Sequence, residues 1–207
     1  MKLRKSPETP QPQTGVKQER LSHGESRRLE RPVADAETVK KQLGFDGFEL
    51  LGVANVPVSK TAKIGHDGQP VSVETNRDFF IFRATETVVP ALANNLPNYP
   101  ASWVNRVNRQ NDVAVIDGDS LSALVELGKA DVNEEGFADA IHGIKARVET
   151  IRPGDSLTIG RHAAFGEMLD AERAFASREH LRIDVSAEGD VQVMDMSSNG
   201  TELTTMQ

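Results

Sequence analysis

Three short blocks hold the side chains of greatest chemical reach in this 207-residue chain: Gly160-Arg161, Ser177-Arg178-Glu179-His180 and Asp195-Met196-Ser197-Ser198-Asn199-Gly200-Thr201. Arg161 offers a planar guanidinium fork that can hold two oxygens of one anion, which lysine cannot do. Ser177 brings a hydroxyl and a loop N–H, and Arg178 brings a second cation. Asn199 both donates and accepts, which suits the main chain of a peptide better than an anion. Together they are donors that could converge on one charged guest.

The elements around these blocks are short strands. Gly160-Arg161 follows Leu157-Thr158-Ile159, the second block precedes Leu181-Arg182-Ile183, and the third follows Val191-Gln192-Val193. Each block therefore falls in a loop at a strand end, where a rigid β framework displays binding groups. From Ile141 onward the pattern predicts strands over Gly143–Ile151, Ser156–Ile159, His180–Val185 and Val191–Met194, with turns at Arg152–Asp155 and Glu188–Asp190. Such spacing reads as an all-β sandwich or barrel. His162–Ala176 is more apolar than an exposed loop needs, and a short helix is expected there.

Residues 46–140 read as a mixed α+β segment. Phe48–Val56 and Val71–Val89 are β-rich, and Phe79-Phe80-Ile81-Phe82 is a buried-strand candidate. Asp112–Ile116 predicts a strand that ends in the turn Asp117-Gly118-Asp119, with short helices at Trp103–Val107 and Glu134–His142. Residues 1–45 read as a disordered tail: Pro7, Pro10 and Pro12 alternate with polar residues and no aromatic precedes Phe45. One helix is expected within it near Asp35–Leu43, capped by Asp35 and stopped by Gly44. The division is thus 1–45, 46–140 and 141–207.

Charge narrows the function classes. The chain carries −7 overall, split as +4 over 1–45, −7 over 46–140 and −4 over 141–207. Neither folded part has the basic footprint of a nucleic-acid binder, so an anion must be held by a few placed residues. Without cysteine there is no disulfide frame, thiolate metal site or cysteine nucleophile. No apolar run approaches the roughly 20 residues that cross a bilayer, and the charged, Pro/Gln-rich start is no secretory signal. A soluble, cytoplasmic protein without membrane partner, metal or cofactor is expected.

The three blocks, in this order and with these framing strands, resemble the forkhead-associated (FHA) domain, a phosphothreonine-recognition module; the likeness covers about Ile141 to Gln207. The resemblance implies a β-sandwich in which Arg161, Ser177 and Ser198 contact phosphate while Arg178 and Asn199 hold the peptide backbone. It implies structural roles for Gly160, His180, Gly200 and Thr201, with the His180 ring tying loops together. Phosphothreonine carries about −1.5 to −2 charges and three acceptor oxygens, which matches such a donor set. The partner is then a phosphothreonine-containing protein, such as a Ser/Thr kinase or its substrate. The chain's own tail, with Thr9 and Thr14, is another candidate. One departure stands out: the family continues after the Asn-Gly-Thr turn with strands that return beside the first strand, and here only Glu202–Gln207 follow. The sandwich is therefore expected to be truncated, unless upstream strands such as Phe79–Thr85 cover the open edge.

Two rival readings remain. Gly118-Asp119-Ser120-Leu121-Ser122 with Asp139-Ala140-Ile141-His142 looks like the blocks of GDSL-type serine esterases, but too few residues separate them for that α/β fold. Gly154-Asp155-Ser156-Leu157-Thr158 nearly repeats the first string as an ordinary turn, and Asp112, Asp117 and Asp119 make only a weak metal candidate. The other rival is a structural or secretion-associated scaffold with a degenerate FHA domain.

Overall fold

A computed structural model describes residues 15–66, 68–87, 109–129, 148–169 and 175–207. The expected helices at Trp103–Val107 and Glu134–His142, and the start of the expected strand at 143–147, lie outside these residues. The chain is mostly β. In order it runs β1 (Val16–Leu21), β2 (Ser26–Arg28), α1 (Ala36–Leu43), β3 (Phe48–Ile64), β4 (Pro70–Ala84), β5 (Val113–Asp117) and α2 (Gly118–Lys129). It continues as β6 (Val148–Ile151), β7 (Ser156–Ile159), α3 (Gly166–Leu169), β8 (Leu181–Val185), β9 (Val191–Asp195) and β10 (Thr201–Met206). A six-stranded antiparallel sheet has the order β1-β10-β3-β4-β5-β6, and a four-stranded one the order β2-β9-β8-β7. Among the described residues no helix is long and apolar enough to cross a membrane.

Side-chain alternation explains how these sheets layer. On β8, buried Leu181, Ile183 and Val185 alternate with exposed Arg182 and half-buried Asp184, so one face of the smaller sheet meets a core and the other meets water. That core lies between the sheets and takes Leu51, Ala54, Phe79, Ile81, Val113 and Val115 from the larger one. The unbroken run Phe79–Phe82 has a different cause. Phe79 and Ile81 enter the core between the sheets, while Phe80 and Phe82 pack on the opposite face under α1 and α2, beside Val39, Leu43, Leu121 and Leu124. A strand covered on both faces has no polar side to alternate with.

Helix boundaries follow local chemistry. The Asp35 side chain accepts from the Thr38 N–H at 2.9 Å, and Gly44 closes α1 at φ 76°, as the capping pattern predicts. Asp117-Gly118-Asp119 is not the expected simple turn. The Asp117 carboxylate accepts from the N–H groups of Asp119 and Ser120 at 3.1 and 3.2 Å, so these residues open α2. The short helix expected in His162–Ala176 is α3.

The structure corrects the expected division of the chain. Residues 15–45 are not a disordered tail: β1 pairs with β10 from Val16↔Met206 to Leu21↔Thr201, and β2 pairs with β9. Leu21, Leu29, Val33, Val39, Leu43 and Phe45 are buried. The segment reads as polar because β1 and β2 are edge strands with few inward positions. The tail reading of residues 1–14 lies outside the described residues. Nor is there a boundary at 45/46 or 140/141, since one sheet takes strands from all three parts.

The edge expected to stand open beside the first C-terminal strand is covered from upstream, with β5 paired to β6. β3 and β4 lie between β10 and β5, with Phe79–Arg83 paired to Val113–Asp117, and β1 covers the far side of β10.

Candidate functional site

At one end of the two sheets, three loops are tied into a single rim. The loop after β7 meets the loop before β8: the Arg161 N–H donates to the Ser177 carbonyl at 3.1 Å and the His162 N–H to the Arg178 carbonyl at 3.0 Å. This contact explains Gly160. A Cβ there would stand 2.2 Å from the Arg178 carbonyl oxygen, so any side chain would push the loops apart. Arg161 Nε donates to the Ala176 carbonyl at 2.5 Å, which fixes the direction of its guanidinium.

The third loop joins at Ser177 and His180. Ser177 Oγ accepts from the Ser198 N–H at 3.3 Å, leaving the hydroxyl proton as a donor. Asn199 Nδ2 donates to the Phe175 carbonyl at 2.7 Å. His180 is fully buried; its Nδ1 accepts from the Ser177 N–H at 3.0 Å and its Nε2 faces the Gly200 carbonyl at 3.3 Å. That pattern needs a neutral ring protonated on Nε2. Desolvation is the largest influence on it and holds the imidazole below its ordinary pKa of 6.5, against the opposing pull of the Gly200 carbonyl and Asp195.

Beneath the third loop lies a polar cluster built from residues of the third block, among which sequence reasoning assigned Asp195 and Ser197 no role. Buried Asp195 Oδ1 accepts from Ser197 Oγ and Thr201 Oγ1, each at 2.8 Å, and Ser197 Oγ accepts from the Gly200 N–H at 2.8 Å. Thr201 thus holds the turn through its side chain as well as by strand pairing. Gly200 sits at φ 78°, where a Cβ would meet Arg20 Nε and the Leu21 carbonyl at 2.9 Å. Arg20 in turn donates to the Asn199 carbonyl at 2.6 Å. No sequence signal pointed to Arg20, because it lies in the part read as a tail.

These loops enclose an open depression of about 660 Å³ lined by Arg161, His162, Phe175, Ser177, Arg178, Ser198 and Asn199, with His23 at its edge. All five expected binding residues line it, and the four expected support residues stand beneath or between the loops. Among the described lining residues Arg161 and Arg178 are cations and Glu179 is the anion, a local inversion of the chain's negative charge. The arrangement offers a fixed guanidinium, an exposed second arginine and a hydroxyl to one oxyanion; the N–H groups of Arg161, His162, Ser177 and Ser198 are bonded within the rim, so the loop N–H expected of Ser177 is spent on His180.

The rival sites fare differently. Ser120 is 1% exposed and its hydroxyl is bonded to the Asp117 carboxylate, a capping arrangement that leaves no attacking group at the surface. His142 lies outside the described residues. Asp112 and Asp117 stand at opposite ends of β5 and do not converge. Among the described residues no cluster of metal-ligating side chains occurs. Thr9 and Thr14, the candidate ligands from the chain's own tail, lie outside the described residues.

Comparison with protein-family models, with curated proteins and with solved structures finds no match in any of the three.

Proposed function

We propose that this chain is a phosphothreonine-dependent protein-interaction protein of the FHA type, in which the depression reads a phosphorylated threonine on an extended peptide. The observation that carries this reading is the convergence of Arg161, Ser177, Arg178, Ser198 and Asn199, drawn from three separated loops, on one depression. In this reading Arg161, Ser177 and Ser198 hold the phosphate, and Arg178 and Asn199 the peptide main chain. The closed two-sheet body adds support, because upstream strands fill the place that the family gives to strands after the turn. Affinity near micromolar, about −8 kcal/mol, suits a few charge-assisted hydrogen bonds set against the ordering of a flexible peptide.

The partner is a phosphothreonine-bearing protein, such as a Ser/Thr kinase or its substrate, or the chain's own tail through Thr9 or Thr14. The test is titration of a phosphothreonine peptide library by fluorescence anisotropy. Phosphorylated members should bind, their unphosphorylated forms should not, and Arg161→Ala should weaken binding by roughly thirtyfold, the loss of about 2 kcal/mol. Equal binding of both forms would overturn the reading and leave an inert scaffold.

A further inference from the structure

The ladder joining β3 to β10 ends at Asn55, opposite Glu202, and the ladder joining β4 to β5 ends at Phe79, opposite Asp117. β3 and β4 nonetheless stay paired with each other as far as Ile64 and Pro70. Residues 57–64 and 70–76 therefore form a two-stranded ribbon at the end bearing the depression. Its base stays on the body, with Pro57 buried and Val58 packed against the core between the sheets; at 3.3 Å per residue the exposed part from Lys60 to Ile64 projects by about 15 Å. A bare ribbon of two strands is marginal in water, and its edges are rows of unpaired N–H and C=O groups.

This ribbon is tied to the depression. Arg20 reaches the Asn199 carbonyl with one terminal nitrogen at 2.6 Å, and its other lies 3.9 Å from Glu74 on the ribbon, which stands 3.5 Å from Lys60. The tip carries the exposed large apolar side chains of the described molecule, Ile64 at 81% and Val71 at 48%. Among the described residues no strand pairs with β3 beyond Asn55 on the side of β10, and this open edge prolongs the column of β10: β10 begins at Thr201, and the Ser198-Asn199 loop crosses away to the other sheet. A polypeptide passing over Asn199 enters that empty column. Lys60 and Lys63 on β3 favour one kind of strand there. A second copy of β3 would set lysine against lysine, whereas an acidic segment gives Lys63 a partner and sets a second carboxylate beside Lys60, which already faces Glu74.

Resting on the phosphothreonine reading, we propose that the ribbon is the second half of the recognition surface. Residues flanking the phosphothreonine add as an extended strand along the open edge of β3, with acidic side chains against Lys60 and Lys63 and an apolar one against Ile64. The rim recognises the phosphate, and the ribbon selects the sequence around it.

The experiment is anisotropy titration of the full chain with two phosphothreonine peptides, one of about five residues and one of about fifteen with acidic flanks. One variant trims the ribbon by joining the register partners Pro57 and Asn76 through Asn-Gly, a spacing that suits a two-residue turn; Lys63→Glu leaves the ribbon in place. The long peptide should bind the natural chain about tenfold more tightly than the short one. Trimming should remove that advantage without weakening the short peptide, whose binding also reports that the trimmed chain is folded. Lys63→Glu should weaken the long peptide alone, by about threefold. If trimming weakens both peptides, the Lys63→Glu result decides. Equal affinity for the two lengths, an advantage that survives trimming, indifference to Lys63→Glu, or a ribbon-dependent dimer without any peptide-length effect overturns the proposal. Failure of both peptides to bind, or indifference of both to Arg161→Ala, brings down the phosphothreonine reading itself.

Discussion

Arg161 illustrates why charge alone is not enough at this rim. Its Nε is committed to the Ala176 carbonyl, so the guanidinium plane is oriented before any ligand arrives. Arg161→Lys keeps the charge and loses that anchor, and phosphopeptide affinity should fall nearly as far as in Arg161→Ala. Gly160→Ala should abolish binding even though Gly160 touches no ligand, because the loops that meet at 2.2 Å from the missing Cβ must separate; unchanged affinity in that variant would dissociate the loop contact from the site. His180 sets a pH limit. With its pKa depressed in the folded state, the unfolded chain binds more protons below pH 6.5, so stability falls as pH drops through and below that value. Thermal unfolding between pH 7 and 5.5 should show this loss in the natural chain and a smaller one in His180→Gln. Peptide binding should weaken in the same direction below about pH 6, as the phosphate takes its second proton.

At the scale of elements, the edge strands carry more than their composition suggests. Leu21 is 2% exposed and packs in the core between the sheets. Leu21→Ala should cost about 2–5 kcal/mol in denaturant unfolding, where a disordered tail would give no change. Removing the α1 cap with Asp35→Ala should cost about 1 kcal/mol, a local effect set by one hydrogen bond. Sequence reading located α1 to the residue and found β7, β8 and β9, because caps and alternation are local signals. It passed over β1 and β2, whose pairing partners β10 and β9 lie more than 150 residues away. It stopped β3 at Val56; beyond it Pro57 is still buried and Val58 packs on the core, but among the described residues the strand pairs only with β4.

For the whole molecule, the order of strands along the chain and their order in space part company. Val16 and Met206 are register partners, and the Gln207 N–H donates to the Gly15 carbonyl at 3.0 Å, so the first and last strands lie side by side. A rearranged chain can exploit this. One that starts at Arg109, runs to Gln207, turns through Asn-Gly into Gly15 and ends at Asn108 keeps every strand's neighbours. It should fold and bind phosphopeptide as the natural chain does, and a circular dichroism melt with a titration checks both.

The amino-acid sequence alone determined which residues could seize an anion, which loops bear them and where α1 starts and stops, since each depends on side-chain type and spacing within a few residues. Only the tertiary structure decided that residues 15–45 belong to the sheets, that Arg20 and Asp195 brace the third loop, and that the ribbon stands beside the rim. Strand pairing is made by backbone groups common to all residues, so its partners are selected by the closure of the whole body and leave little local mark.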